Sequence, residues 1–195
     1  MKVNFVKTFI PAKDFVAVEK VGNKILVRFD AVKDADMDAY SCVEGSVSES
    51  EYDEQEVRRE YEAWKQKWAE KALVLAKKAK IAEIAAYDTS SSVNGFMLNG
   101  LLVWLDKATR VGLMNSTTIA KASGQETTTL WLGGLKLVVD CDKAIQLLSA
   151  LEMYALECFN VTASHKQAVS ELTTIEEVEA YDYKAGYPKM LEMSV

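Results

Sequence analysis

Apolar and polar positions alternate with a period of two over most of the first 48 residues, the pattern of half-buried strands. Residues 15–21 (FVAVEKV) and 24–29 (KILVRF) flank Gly22-Asn23, which predicts a β-hairpin. Residues 40–47 (YSCVEGSV) predict a third strand, and the acidic DAVKDADMD segment between reads as a loop. The expected unit is small, three-stranded and antiparallel. The period then changes. From residue 51 to 86 there is no glycine or proline, and Ala, Glu, Lys and Leu dominate. Ser50 and Asp53 fit a capping box at its start. Apolar positions at Val57, Tyr61, Trp64, Trp68, Ala72, Leu75, Ala79, Ala82 and Ala86 are spaced 4, 3, 4, 4, 3, 4, 3 and 4. That is a heptad-like stripe with one stutter at Lys71.

Past the polar YDTSSS at 87–92, where the spacing puts a domain boundary, short-period and helical segments mix. Residues 96–105 (FMLNGLLVWL) carry Asn99-Gly100 between apolar runs, a strong hairpin signal. Asp106 is placed to cap a helix reaching Ala122, with Ser123-Gly124 as its stop. Residues 127–132 and 135–139, joined by Gly133-Gly134, predict a second hairpin. Asp142 is read as the cap of the next helix, whose residues 145–159 are apolar at 11 of 15 positions and therefore expected in the core. Two shorter helices are expected at 163–172 and 175–181, the second with Thr174 and Glu177 as its capping box, and Gly186-Tyr187-Pro188 is expected to end regular structure. The fold class is α+β: a small N-terminal antiparallel β unit, a long connecting helix, and a mostly helical C-terminal domain with two short β-hairpins. The corresponding domains are 1–49, 50–87 and 88–195.

Charge narrows the partners. The chain has 23 basic and 29 acidic residues, a net charge of −6, which opposes non-specific nucleic-acid binding. Within the long helix, residues 51–62 carry six acids and two arginines, whereas residues 65–80 carry six lysines and one glutamate; each sign lies at the favourable end of the helix dipole. No apolar run reaches the roughly 20 residues of a membrane helix, and MKVNFVKTFIPAKDF lacks the apolar region of a signal peptide. At 49% hydrophobic and 27% charged, the composition is that of a globular protein.

Candidate chemistry is sparse. Cys42, Cys141 and Cys158 are an odd number without CxxC spacing and read as reduced thiols, two of them buried. His165 is the only histidine, and Cys158 lies seven residues before it, roughly 10 Å along a helix and too far for a thiolate–imidazolium pair. Asp34, Asp36 and Asp38 imitate the opening of a calcium loop, but the sixth and twelfth places hold Ala39 and Gly45 instead of glycine and glutamate. GxGxxG, GxxxxGK[ST], GxSxG and HExxH are all absent. No catalytic residue, cofactor or metal is therefore nominated. The residues singled out are Val57, Tyr61, Trp64, Trp68 and Leu75, whose stripe suggests a packed interface, either with the N-terminal unit or with another subunit.

Residues 96–188 carry VWLDKATRVGLMNS, TTLWLGG, DKAIQLLSALEMYALECF and TIEEVEAYDYKAGYP, with Asp106, Arg110, Trp131, His165 and Gly186-Tyr187-Pro188 in that order. In these motifs the segment resembles an uncharacterised domain family found in tail and tail-fibre-associated proteins of tailed bacteriophages and prophages. The resemblance implies a phage structural or assembly protein and supplies no catalytic residue. The expectation is a virion component, tail- or fibre-associated, assembled in the host cytoplasm. It would bind other virion proteins and pair with itself through the long helix, without nucleic acid or membrane. The alternative is a non-virion assembly factor such as a tail-fibre chaperone.

Overall fold

The structure, a computed structural model, describes residues 2–195. It is α+β, and the chain divides into two compact units, one up to Ala72 and one from Leu73 onward. The division lies inside the segment that the sequence sets apart as 50–87.

In the first unit, β1 (Asn4–Pro11), β2 (Val18–Val21), β3 (Lys24–Asp34) and β4 (Ala39–Ser48) form an antiparallel sheet in the order β1-β4-β3-β2. The unit thus has four strands, where the sequence predicts three. The β1 run, NFVKTFIP, is apolar on both faces, so alternation alone does not isolate it. Ile25, Val27, Phe29, Val43 and Val47 share one face and pack on the start of helix α1 (Glu54–Asp88) through Val57 and Tyr61. Phe5 stands opposite Gly45 in the register, and a Cβ on Gly45 would come within 2.7 Å of the Phe5 ring, so the ring occupies the space a side chain there would need.

The start of α1 corrects the expected capping box. Ser50 sits in a short 3-10 turn, and Asp53 caps the helix, its Oδ1 accepting from the Glu56 amide at 2.8 Å. Helix α1 is continuous to Asp88. A bulge in β3 between Phe29 and Val32 holds Asp30 at φ +47°, a left-handed conformation. That bend brings Asp30 Oδ2 to the Lys65 ammonium at 2.7 Å and to the Tyr61 hydroxyl at 2.8 Å, both as donors. Lys65 first, then Tyr61, holds the Asp30 carboxyl below its ordinary 3.8, while burial and the bonded carboxylate push the Tyr61 phenol up. The stabilisation linked to Asp30 is therefore fully present above 3.8 and lost as the pH falls through the depressed value. We expect the carboxyl 13C shift of Asp30 to titrate below 3.8, and Lys65→Met to raise its midpoint more than Tyr61→Phe does. A wild-type midpoint at or above the ordinary value would contradict this geometry.

In the second unit, α2 (Ser91–Asn94) leads into β5 (Gly95–Leu98), which pairs with β6 (Leu101–Trp104) across Asn99-Gly100. Both turn residues have positive φ, +49° and +80°, as a two-residue hairpin turn requires. Helix α3 (Lys107–Ala122) starts as predicted at Asp106, whose side chain accepts from the Thr109 amide. Hairpin β7 (Thr127–Leu132) and β8 (Leu135–Asp140) follows, then α4 (Cys141–Glu171) and α5 (Ile175–Ala180) with the expected Thr174–Glu177 capping box.

Three expectations for this unit are corrected. Asp140, not Asp142, caps α4, its carboxylate accepting from the Asp142 and Lys143 amides. Helix α4 runs unbroken to Glu171, because nothing between Phe159 and Ala163 interrupts the helical backbone. Regular structure also resumes after Pro188: β9 (Leu191–Met193) pairs in parallel with the far side of β5, giving the order β6-β5-β9. The core holds Phe96, Leu98, Leu130, Leu132, Leu148 and Leu151, each at most 1% exposed. A second cluster joins Ile84 of α1 to Val169 and Val178.

Candidate functional site

The structure separates the five residues that the long stripe brings forward. Val57 and Tyr61 are buried, 0% and 3% exposed, in the core of the N-terminal unit. Trp64 is half-buried beside Phe5, its ring centroid 5.7 Å away. Trp68 stacks on Trp64 and lies under the Lys7 ammonium, yet stays 48% exposed, and Leu75 is 57% exposed. In the second unit α1 buries Ile84 and packs Leu73, Ala76 and Ile81, positions outside the stripe. Three of the five thus pack on their own sheet, and Trp68 and Leu75 face solvent.

His165 is occupied structurally. Its Nε2 lies 2.9 Å from the Ala185 carbonyl and its Nδ1 lies 2.8 Å from the Tyr181 hydroxyl. A carbonyl can only accept, so Nε2 of the neutral ring carries the hydrogen and Nδ1 accepts from Tyr181. The ring therefore ties the segment around Gly186 to α4. Asp34 serves its own turn, Oδ1 accepting from the Asp36 and Met37 amides. Among the described residues no group of three or more His, Cys, Asp or Glu could hold a metal ion. All three cysteines are free and buried, one more than the sequence leads one to expect. Burial pushes the Cys42 and Cys158 thiols up, away from nucleophilic reactivity. Among the described residues no helix is long and apolar enough to cross a membrane.

The feature of the second unit that sequence reasoning misses is a cavity of about 410 Å³ where α4, the end of β6 and the start of α3 converge. Helix α4 is not apolar-in on every side. Its core row Cys141, Ala144, Leu148, Leu151, Ala155 and Cys158 is spaced 3, 4, 3, 4 and 3, and a second apolar set faces solvent. In that set Met153 is 58% exposed, Leu156 49% and Phe159 58%. Leu156 and Phe159 form one wall of the cavity, and Trp104, 41% exposed at the end of β6, lies among the lining residues.

Buried links hold the polar part of the lining in place. Arg110, 8% exposed, donates from Nε to Glu152 at 2.8 Å and from Nη1 to the Leu105 carbonyl at 2.8 Å, tying α3 to α4 and to the hairpin. Asp88, at the end of α1, accepts the Thr162 hydroxyl at 2.8 Å, and that hydroxyl lies 2.8 Å from the Tyr187 hydroxyl. Since Thr162 spends its hydrogen on the carboxylate, Tyr187 donates to Thr162. Burial raises the Tyr187 phenol above its ordinary value, so it keeps its proton for that role. Asn94 donates to the Asp88 carbonyl at 2.6 Å. On the buried side, Tyr154 donates to the Val93 carbonyl at 2.7 Å, and burial pushes its phenol up to about 12. The result is a concave, partly apolar surface whose carboxylates are fixed before anything binds. The signal available in the sequence was the apolar excess of α4, more than one core-facing row can absorb.

No curated protein and no solved structure matches the chain. Residues 75–185 match the family described as a domain of unknown function, DUF4376, a span covering most of the second unit and the whole cavity. The chain therefore belongs to the DUF4376 family, an uncharacterised domain family.

Proposed function

We propose that the protein is a structural and interaction component of a bacteriophage virion, associated with the tail or tail fibre and acting through protein–protein contacts. The observation that supports this reading best is the cavity between Trp104 and the Leu156–Phe159 wall. Large apolar side chains gathered around a concave, preorganised polar lining suit docking of a partner, whereas singly scattered ones would carry no such meaning. The phage context rests on the resemblance of residues 96–188 to tail-associated proteins. Exposed Trp68 and Leu75 on α1 support self-association through the long helix. In this reading the chain performs no reaction and needs no cofactor.

Quantitative mass spectrometry of purified particles of the encoding phage or prophage tests it. The expected result is a fixed copy number relative to the tail proteins, and Trp104→Ala with Phe159→Ala should lower incorporation at least about tenfold. A chain abundant in the lysate and missing from particles overturns the virion reading in favour of a tail-fibre chaperone.

A further inference from the structure

The polar lining of the cavity is richest in acceptors. Asp88 Oδ1 is taken by Thr162, Glu152 Oε1 by Arg110, and the Asn94 amide nitrogen by the Asp88 carbonyl. Among the described residues Asp88 Oδ2, Glu152 Oε2 and Asn94 Oδ1 accept no hydrogen bond. The charges do not cancel. Arg110 pairs with Glu152, whereas Asp88, Asp106 and Lys107 of the same lining enter no ion pair among the described residues, so three carboxylates stand against two cations. The Asp88 carboxylate is nonetheless held in one orientation through Thr162 and Tyr187. Beside these acceptors are the partly exposed rings of Trp104 and Phe159.

An oriented, unpaired carboxylate and neutral acceptors beside aromatic faces favour a cation that donates in several directions. An anion would find Lys107 at the lining but would meet the excess of carboxylates, Asp88, Asp106 and Glu152, and an apolar group would leave the free oxygens of Asp88 and Glu152 desolvated without a donor. We propose that this groove receives a basic side chain, arginine above lysine, flanked by apolar residues in an exposed segment of a partner protein. Arginine fits better because its planar guanidinium donates to carboxylate and amide oxygens in one plane while a face stacks on a ring. The volume of about 410 Å³ takes that side chain with an apolar neighbour against Leu156. The inference rests on the reading of the cavity as a docking site and specifies its occupant.

The test uses the full chain labelled with 15N and the acetylated, amidated peptide Leu-Arg-Leu, against the same peptide with neutral, near-isosteric citrulline for arginine. The readout is the Trp104 indole resonance, assigned by its loss in Trp104→Phe. The arginine peptide should shift it saturably, the citrulline peptide should bind at least about tenfold more weakly, and Asp88→Asn should remove most of that difference. Asparagine keeps an oxygen for the Thr162 hydroxyl, so this variant changes charge with little change of shape. Equal binding of the two peptides overturns the proposal, as does an unshifted Trp104 at the solubility limit of the arginine peptide. A shift produced by methyl glucopyranoside and not by the peptide overturns it in favour of a carbohydrate. If the arginine peptide fails while incorporation into particles still depends on Trp104 and Phe159, the docking reading stands and the basic occupant falls. If incorporation is also indifferent to both residues, the docking reading falls with it.

Discussion

Replacing Phe96 by alanine should destabilise the C-terminal unit by about 3–5 kcal/mol, seen as a lower urea midpoint and as lost exchange protection in β5, β6 and α4. Phe96 is 0% exposed and sits in β5, the middle strand of its sheet, in register with Val103 of β6 on one side and Leu191 of β9 on the other. Truncation removes most of a ring from the cluster formed with Leu98, Leu130 and Leu148. Neighbours tied into two strand ladders and a helix can close little of the resulting space, which puts the cost toward the upper part of that range. Against a typical total of about 5–15 kcal/mol, the loss is a large fraction of the stability. Phe96→Leu keeps more of the volume and should cost less than about 1.5 kcal/mol. A Phe96→Ala midpoint equal to that of Phe96→Leu would mean that the site relaxes freely and that the core is less tightly packed than its burial implies.

Val57→Asp should disrupt the N-terminal unit, and the damage should depend on pH. Val57 is fully buried between α1 and the sheet, in an apolar cluster with Val27, Phe29, Val43 and Val47. An unpaired buried charge and a lost apolar contact together cost about 4 kcal/mol or more. Burial raises the carboxyl in the folded state above its unfolded value, so the folded state binds more protons and stability falls as the pH rises through that raised value. The variant should therefore recover partly as the pH drops toward the ordinary carboxyl range, while Val57→Asn should show no such recovery. Amide exchange of β3 and β4 reads both effects. Protection in Val57→Asp equal to wild type at neutral pH would sink this assignment of the core.

These two sites also show where the sequence speaks and where it is silent. Tight turns and caps are chemically local, so Gly22-Asn23, Asn99-Gly100, Gly133-Gly134, Asp106 and the Thr174–Glu177 box mark their elements without help from the rest of the chain. Strands β1 and β9 lack such marks. β1 is apolar on both sides, and β9 is three residues long and exists through its pairing with Phe96, Met97 and Leu98, far away in sequence. Past Trp68 the residues of α1 that pack within the chain are not those of the stripe, because periodicity records which positions are apolar and not which neighbour covers them. The groove is least legible of all. Asp88, Arg110, Glu152 and Phe159 look separately like a helix end, a surface charge, a solvated acid and a core aromatic, and only the tertiary fold puts them around one cavity.

The three buried thiols also provide a clock. Cys42 lies in the N-terminal sheet, and Cys141 and Cys158 lie in α4, 3%, 1% and 0% exposed. An alkylating reagent must wait for the backbone around each sulfur to open, so the three labelling rates report local breathing of two regions without any engineered probe. Cys141 at the first turn of α4 samples fraying of the helix end, whereas Cys158 in its interior samples the opening of the core. The order in which the three sulfurs are modified thus reads out which part of the chain yields first as the fold opens.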